Sequence, residues 1–150
     1  MYKNPSPTVD TVILDQDRIV LVKRKNEPYK GMWVFPGGFV DYGETVEKAA
    51  LREVIEETGM KVELLDILGV YSDPERDPRK HIQSTVFIAR PLEGEPTGGD
   101  DAAGAKWFDL DEVHNTITLA FDHDLMVRDL KEWIKKKGTY WSNKDRRESD

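Results

Sequence analysis

The chain has 150 residues, 29 of them acidic and 22 basic, a formal net charge of −7, and no cysteine. That length suits one domain with a sizeable core, and the missing cysteines exclude disulfides and thiolate metal sites. The acidic balance disfavours nucleic acid and anionic membrane as partners, and no apolar run approaches the ~20 residues that span a bilayer, so a soluble, cytoplasmic protein is expected.

Thr8 to Lys25 reads as two strands, the β-branched and apolar TVIL and RIVLVKR, joined at the turn DQD. NEPYKG is a loop, and Met32 to Glu44 cannot form a regular helix because Pro36, Gly37, Gly38 and Gly43 interrupt it. From Glu44 to Thr58 the chain holds strong helix formers and no breaker, and Gly59 supplies a C-terminal stop. Lys61 to Asp73 is a predicted strand bent near Gly69, PERDPR a loop, and HIQSTVFIARP a strand that Pro91 ends. LEGEPTGGDDAAG is a long polar loop and AKWFDL a short strand. FDHDLMVRDLKEWIKKK is an amphipathic helix, with Asp122 as N-cap and Leu125, Val127, Leu130, Trp133 and Ile134 on its apolar stripe. The remaining GTYWSNKDRRESD is polar and expected to fray. With no repeat or linker, residues 1–150 are expected to form one domain, its core over about 8–135 and a polar tail over about 138–150. Strands interleaved with two helices predict an α/β or α+β sandwich.

The first helix concentrates charge. At about 100° per residue, Glu56 lies about −60° and Glu57 about +40° from Glu53, so all three share one arc. Leu51, Val54, Ile55 and Thr58 fall on the other side, the expected buried face, and Ala49 and Ala50 are small enough to let another backbone approach. An acidic helix face is by itself an ordinary solvated surface, since each uncompensated Glu pair costs only a few tenths of a kcal/mol. Here a Gly-rich loop enters directly before the helix, and Arg52 lies at the edge of the arc, placed to hold one carboxylate. Hard oxygen ligands on one rigid element, with a loop carbonyl nearby, suit Mg²⁺ or Mn²⁺.

From Gly38 the segment GFVDYGETVEKAALREVIEETGM resembles the full Nudix box, with Gly38, Glu44, Arg52, Glu53, Val54, Glu56, Glu57, Gly59 and Met60 filling its defined positions. The resemblance implies an α/β/α sandwich around a mixed sheet and metal-dependent hydrolysis of a nucleoside diphosphate linked to another moiety. By motif position, Glu53, Glu56 and Glu57 match metal ligands, with the Gly38 carbonyl as a candidate fourth. Glu53, Glu57 and Arg52 are the catalytic candidates, Arg52 by orienting a carboxylate. Glu44 resembles a structural glutamate behind the site; a plain partner for the helix dipole is the alternative. Metal cations would neutralise the pyrophosphate and lower the pKa of bound water, and one of the glutamates or a loop carboxylate would act as base.

Outside the box, Pro74 in GVYSDPERDPRKH, together with DDAAGAKWFDLDE and LAFDHD, resembles the ADP-ribose pyrophosphatase subgroup. That resemblance covers about residues 8–135 and implies a small nucleotide substrate, ADP-ribose, cleaved to AMP and ribose 5-phosphate, and by analogy a homodimer. Pro74 alone is equally an ordinary turn proline. Many relatives carry a glutamate where this chain has Gly104, leaving Asp100, Asp101 or the box glutamates to do its work. Arg24, Lys25 and Arg79 are candidate phosphate or ribose contacts, and Tyr29 and Trp33 candidate adenine stackers, against surface solubility and core packing respectively. His123 is expected to sit at a helix start. Two rivals are hydrolysis of noncanonical nucleoside triphosphates or dinucleoside polyphosphates, and a non-catalytic ADP-ribose sensor. The complete box and the absence of a recognisable winged helix after residue 108 weigh against the sensor.

Overall fold

The two β-branched runs form an antiparallel hairpin, β1 (Ser6–Asp15) and β2 (Arg18–Lys23), in a computed structural model that describes residues 2–97 and 104–142. Gln16 takes the left-handed conformation (φ 56°) that the tight turn needs. β1 then divides one edge between two partners: its far end pairs with β2, and Thr8–Asp10 pair with β4 (Gly37–Phe39). Its other edge runs parallel to β6 (Ile82–Glu93) from Ser6↔Ile82 to Ile13↔Ala89. β5 (Lys61–Tyr71) pairs antiparallel with β6, while β3 (Trp33–Val34) and β7 (Ala105–Asp109) flank β2. The sheet is therefore mixed, in the order β3-β2-β1-β6-β5 with β8 (Tyr140–Trp141) beyond β5, as the resemblance implied.

Alternation along the strands serves two cores. Val9, Ile13, Phe87 and Ala89 face α1 (Val46–Thr58), whose Ala49, Ala50 and Val54 are wholly buried. Val12, Val86 and Ile88 face the other way, onto Leu125, Met126, Val127 and Leu130 of α3 (His123–Lys135). Between β7 and α3 lies a one-turn helix, α2 (Val113–Thr116). α1 starts where Thr45 Oγ1 accepts from Lys48 N and stops at Gly59 (φ 73°), whose N–H reaches the Ile55 carbonyl. No helix among the described residues is long and apolar enough to cross a membrane.

The structure corrects several expectations. Of the face expected to be buried, Val54 and Thr58 are, but Leu51 and Ile55 are 36% and 49% exposed, because the buried stripe turns toward Ala49 and Ala50. Ile134 is 46% exposed, whereas Asp129 is buried and accepts from the Tyr71 hydroxyl at 2.6 Å. Pro91 does not end its strand: β6 runs on to Glu93, with Pro91 opposite Val62 beside a register shift, where a missing N–H is tolerated. The tail does not fray at Tyr140–Trp141, which form β8 along the edge of β5. Gly69 permits this, since a Cβ there would collide with the Tyr140 backbone carbonyl. Ser142 Oγ then accepts from the Ser72 and Asp73 amides at 2.9 and 3.2 Å.

Asp122 does not cap α3 with its side chain. It is 4% exposed and makes a two-pronged bond to Arg76, at 2.9 Å from Nε and 2.8 Å from Nη2. This ties the loop between β5 and β6 to the start of α3. Asp122→Ala would leave the Arg76 guanidinium buried and uncompensated, and should lower stability by about 3–5 kcal/mol in urea denaturation. The apolar double variant Arg76→Met/Asp122→Leu should recover most of that loss.

Candidate active site

A cleft of about 380 Å³ opens where β1 divides its edge, lined by the α1 carboxylates on one side and by Arg24, Arg76 and Arg79 on the other. Gly37 and Gly38 form its floor, and at each the space of a missing Cβ is taken by a neighbour. A Cβ on Gly37 would strike the Val9 carbonyl and the Asp10 carboxylate, and one on Gly38 would lie 2.6 Å from the Glu53 carboxylate. Three acidic groups thus converge on two residues without side chains, for Glu57 Oε1 also accepts from the Gly37 amide at 3.4 Å.

Behind them Arg52 holds the carboxylates in place. Its Nε and Nη2 bond both oxygens of Glu44, at 2.7 and 2.9 Å. Nη1 bonds Glu53 at 2.7 Å and Glu56 at 3.3 Å, and Nη2 also reaches the Phe39 carbonyl at 3.1 Å. Glu44 in turn accepts from the Asp41 amide, and its bonds to Arg52 hold it down at about 2. Glu44 therefore anchors Arg52, a job beyond pairing with the helix dipole.

Burial pushes the Glu53 carboxyl up, against the pull of Arg52. Burial, then the nearby Glu53 charge, pushes Glu57 up to about 9. Among the described residues no three acidic or imidazole groups are already gathered into a metal cage.

The cleft also holds groups that sequence reasoning missed or left without a role. Asp10 lines the cleft; burial raises it to about 7, and its Oδ2 accepts from Ser84 at 2.5 Å. His123 sits at the start of α3, as expected, but is buried there, and burial lowers it to about 3. Its Nδ1 accepts from the Phe35 amide at 3.0 Å, so the neutral ring carries its proton on Nε2, 3.9 Å from Asp10 Oδ1. Phe121 also lines the cleft. The alternation of TVDTVIL offered one signal: an acid among apolar neighbours in a central strand.

Other sequence candidates fare unevenly. Arg24 and Arg79 line the cleft; Arg79 pairs with Asp77 through Nε at 3.0 Å and Nη2 at 2.7 Å. Trp33 lies outside the cleft lining and packs edge-on against Phe108 at 4.8 Å, with its backbone bridged to residues 118–120. Pro74 is exposed and does not line the cleft; its loop matters through Arg76, Asp77 and Arg79. Asp100 and Asp101 lie outside the described residues.

The raised Glu57 carboxyl has a measurable consequence. Glu57 is raised when folded, so its contribution is present at low pH and lost as pH rises toward about 9. Between pH 7 and 9 in EDTA the chain should lose at most about 1.4 kcal/mol per pH unit from this group, read from urea midpoints. Glu57→Gln should flatten that slope.

Comparison with known proteins agrees with this geometry. An ADP-ribose pyrophosphatase from Methanocaldococcus jannaschii is 48% identical over 133 residues, covering 89% of this chain and 77% of that protein. A NUDIX hydrolase from Nitrosomonas europaea superposes with a TM-score of 0.80 at 28% identity, covering 96% of this chain and 82% of that one. The NUDIX domain of Shewanella oneidensis NrtR, crystallised with ADP ribose, gives 0.76 at 28% identity, covering 89% and 90%. The family described as NUDIX domain matches residues 4–130, and the chain belongs to it.

Proposed function

We propose that this chain hydrolyses the pyrophosphate link of ADP-ribose to AMP and ribose 5-phosphate with the help of Mg²⁺ or Mn²⁺. The observation that carries the reading is a single cleft with a carboxylate wall on α1 facing an arginine wall. The 48% identity to an ADP-ribose pyrophosphatase supports the choice of substrate. A homodimer and a cytoplasmic location belong to the reading on the habit of such enzymes alone.

The residues fit a hard divalent cation. Glu53, Glu56 and Glu57 supply carboxylate oxygens from one rigid helix, and Gly38 adds a backbone carbonyl where no Cβ intrudes. Such a cation neutralises pyrophosphate charge and acidifies bound water. Glu57 must give up its proton to serve as a ligand, so cation binding should strengthen as pH rises toward about 9. Arg52 fixes the rotamer of Glu53, and Glu44 fixes Arg52. Arg24 and Arg79 offer positive charge to the substrate's phosphates from across the cleft. A base is available among the acidic groups at the Gly37–Gly38 floor, Asp10 included.

A panel of ADP-ribose, oxidised nucleoside triphosphates and dinucleoside polyphosphates, assayed with Mg²⁺ and Mn²⁺, tests the reading. AMP release from ADP-ribose should dominate and vanish in EDTA; turnover of a triphosphate without AMP release from ADP-ribose would refute it. Glu57→Gln should abolish turnover while keeping the fold. Gly38→Ala should also keep the fold, because the displaced group is the flexible end of Glu53, yet lower kcat/KM by on the order of a hundredfold.

A further inference from the structure

The arginine wall is built around Phe121. This residue has φ 53°, a left-handed conformation that a bulky side chain keeps only where its surroundings impose it. The constraints lie on both sides. Before it, the Ala120 amide bonds the Trp33 carbonyl at 2.9 Å. After it, Asp122 grips Arg76 and His123 takes the Phe35 amide. The ring lies in the cleft lining with Tyr29 edge-on at 4.7 Å, and the Arg24 and Arg79 guanidinium carbons lie 5.0 and 5.7 Å from its centroid.

The two arginines differ in what neutralises them. Arg79 is paired with Asp77. Arg24 gives its Nε to the Pro28 carbonyl at 2.7 Å and has no carboxylate bond among the described residues. Its backbone closes the loop 24–32, bonding Met32 at 2.7 Å and Gly31 at 2.9 Å, so its position is set in advance. Burial and the Arg79 charge both lower its proton affinity. A guanidinium drawn partly out of water beside a like charge needs a compensating partner. The face of an aromatic ring is one such partner, and it leaves the Nη donors uncommitted.

We propose that Phe121 is a positioning residue whose ring face holds Arg24 in the cleft, so that its Nη groups bind a phosphate oxygen of a pyrophosphate-bearing ligand. The proposal rests on reading the cleft as a pyrophosphate site, but not on cleavage of ADP-ribose. Inorganic pyrophosphate in EDTA is therefore the probe, because it carries no base to stack and undergoes no turnover there.

The test titrates pyrophosphate into the full chain, follows the ¹⁵N-labelled Nε–H signals of Arg24 and Arg79, and records thermal midpoints alongside. Wild type and Phe121→Tyr should bind with a shift at Arg24. Phe121→Leu, which keeps bulk but lacks the ring, should bind about tenfold more weakly with its midpoint nearly kept. Its KM for ADP-ribose should rise by a similar factor while kcat holds. Unchanged pyrophosphate affinity in Phe121→Leu, no shift at Arg24, or no binding by wild type would each overturn the proposal. If Phe121→Leu does not fold, Arg24→Gln, which leaves the ring in place, must lose the same affinity; retention overturns it. A lack of ADP-ribose turnover with this binding pattern intact would count against the proposed activity and leave Phe121 in its role.

Discussion

Three carboxylates crowd one helix face of a chain that already carries seven excess negative charges, and Arg52 makes that crowding tolerable. One planar guanidinium bonds Glu44, Glu53, Glu56 and the Phe39 carbonyl together. A lysine could not do the same, since its point charge cannot make the two-pronged bond to Glu44 while reaching Glu53. The fork also joins the Gly-rich loop to the helix, so the floor and one wall of the cleft are set by a single side chain. Much of Arg52 remains near solvent, which screens the net energy of each bond. Its value lies in geometry more than in stability.

The rest of the fold brings a second wall to face the first. β1 splits its edge between β2 and β4, and the cleft opens near that division. Glycines 37 and 38 let backbone and carboxylates approach closely. Across the gap, residues 120 to 123 each take hold of a different element: Trp33 of β3, the ring-bound arginines, Arg76 of the β5–β6 loop, and Phe35. The arginine wall is thus fastened to α3 and its core rather than left to free loops.

Much of the carboxylate side was legible in the chain because it is local. Helix periodicity placed Glu53, Glu56 and Glu57 together, and the glycines before and after marked the boundaries. The other wall depends on contacts between residues far apart in sequence, which periodicity does not report. Asp122 looked like an N-cap because that is what Asp before a helix usually does; its buried pairing with Arg76, 46 residues away, won instead. Phe121 carried no local signal for the same reason, and His123 showed only its place at a helix start. Trp33 left two readings open in sequence, adenine stacker and core packing, and in the fold its ring packs on Phe108.

The short strand at residues 140–141 acts on the cleft without approaching it. Ser142 holds the amides of Ser72 and Asp73, the first residues of the loop that carries Arg76 and Arg79. The end of the described chain is therefore a brace for the cationic loop, clipped to the sheet at the one glycine of β5 that leaves room for it. A variant trimmed before Tyr140 would keep every carboxylate of α1, yet its arginines would hang from a loop released at its root.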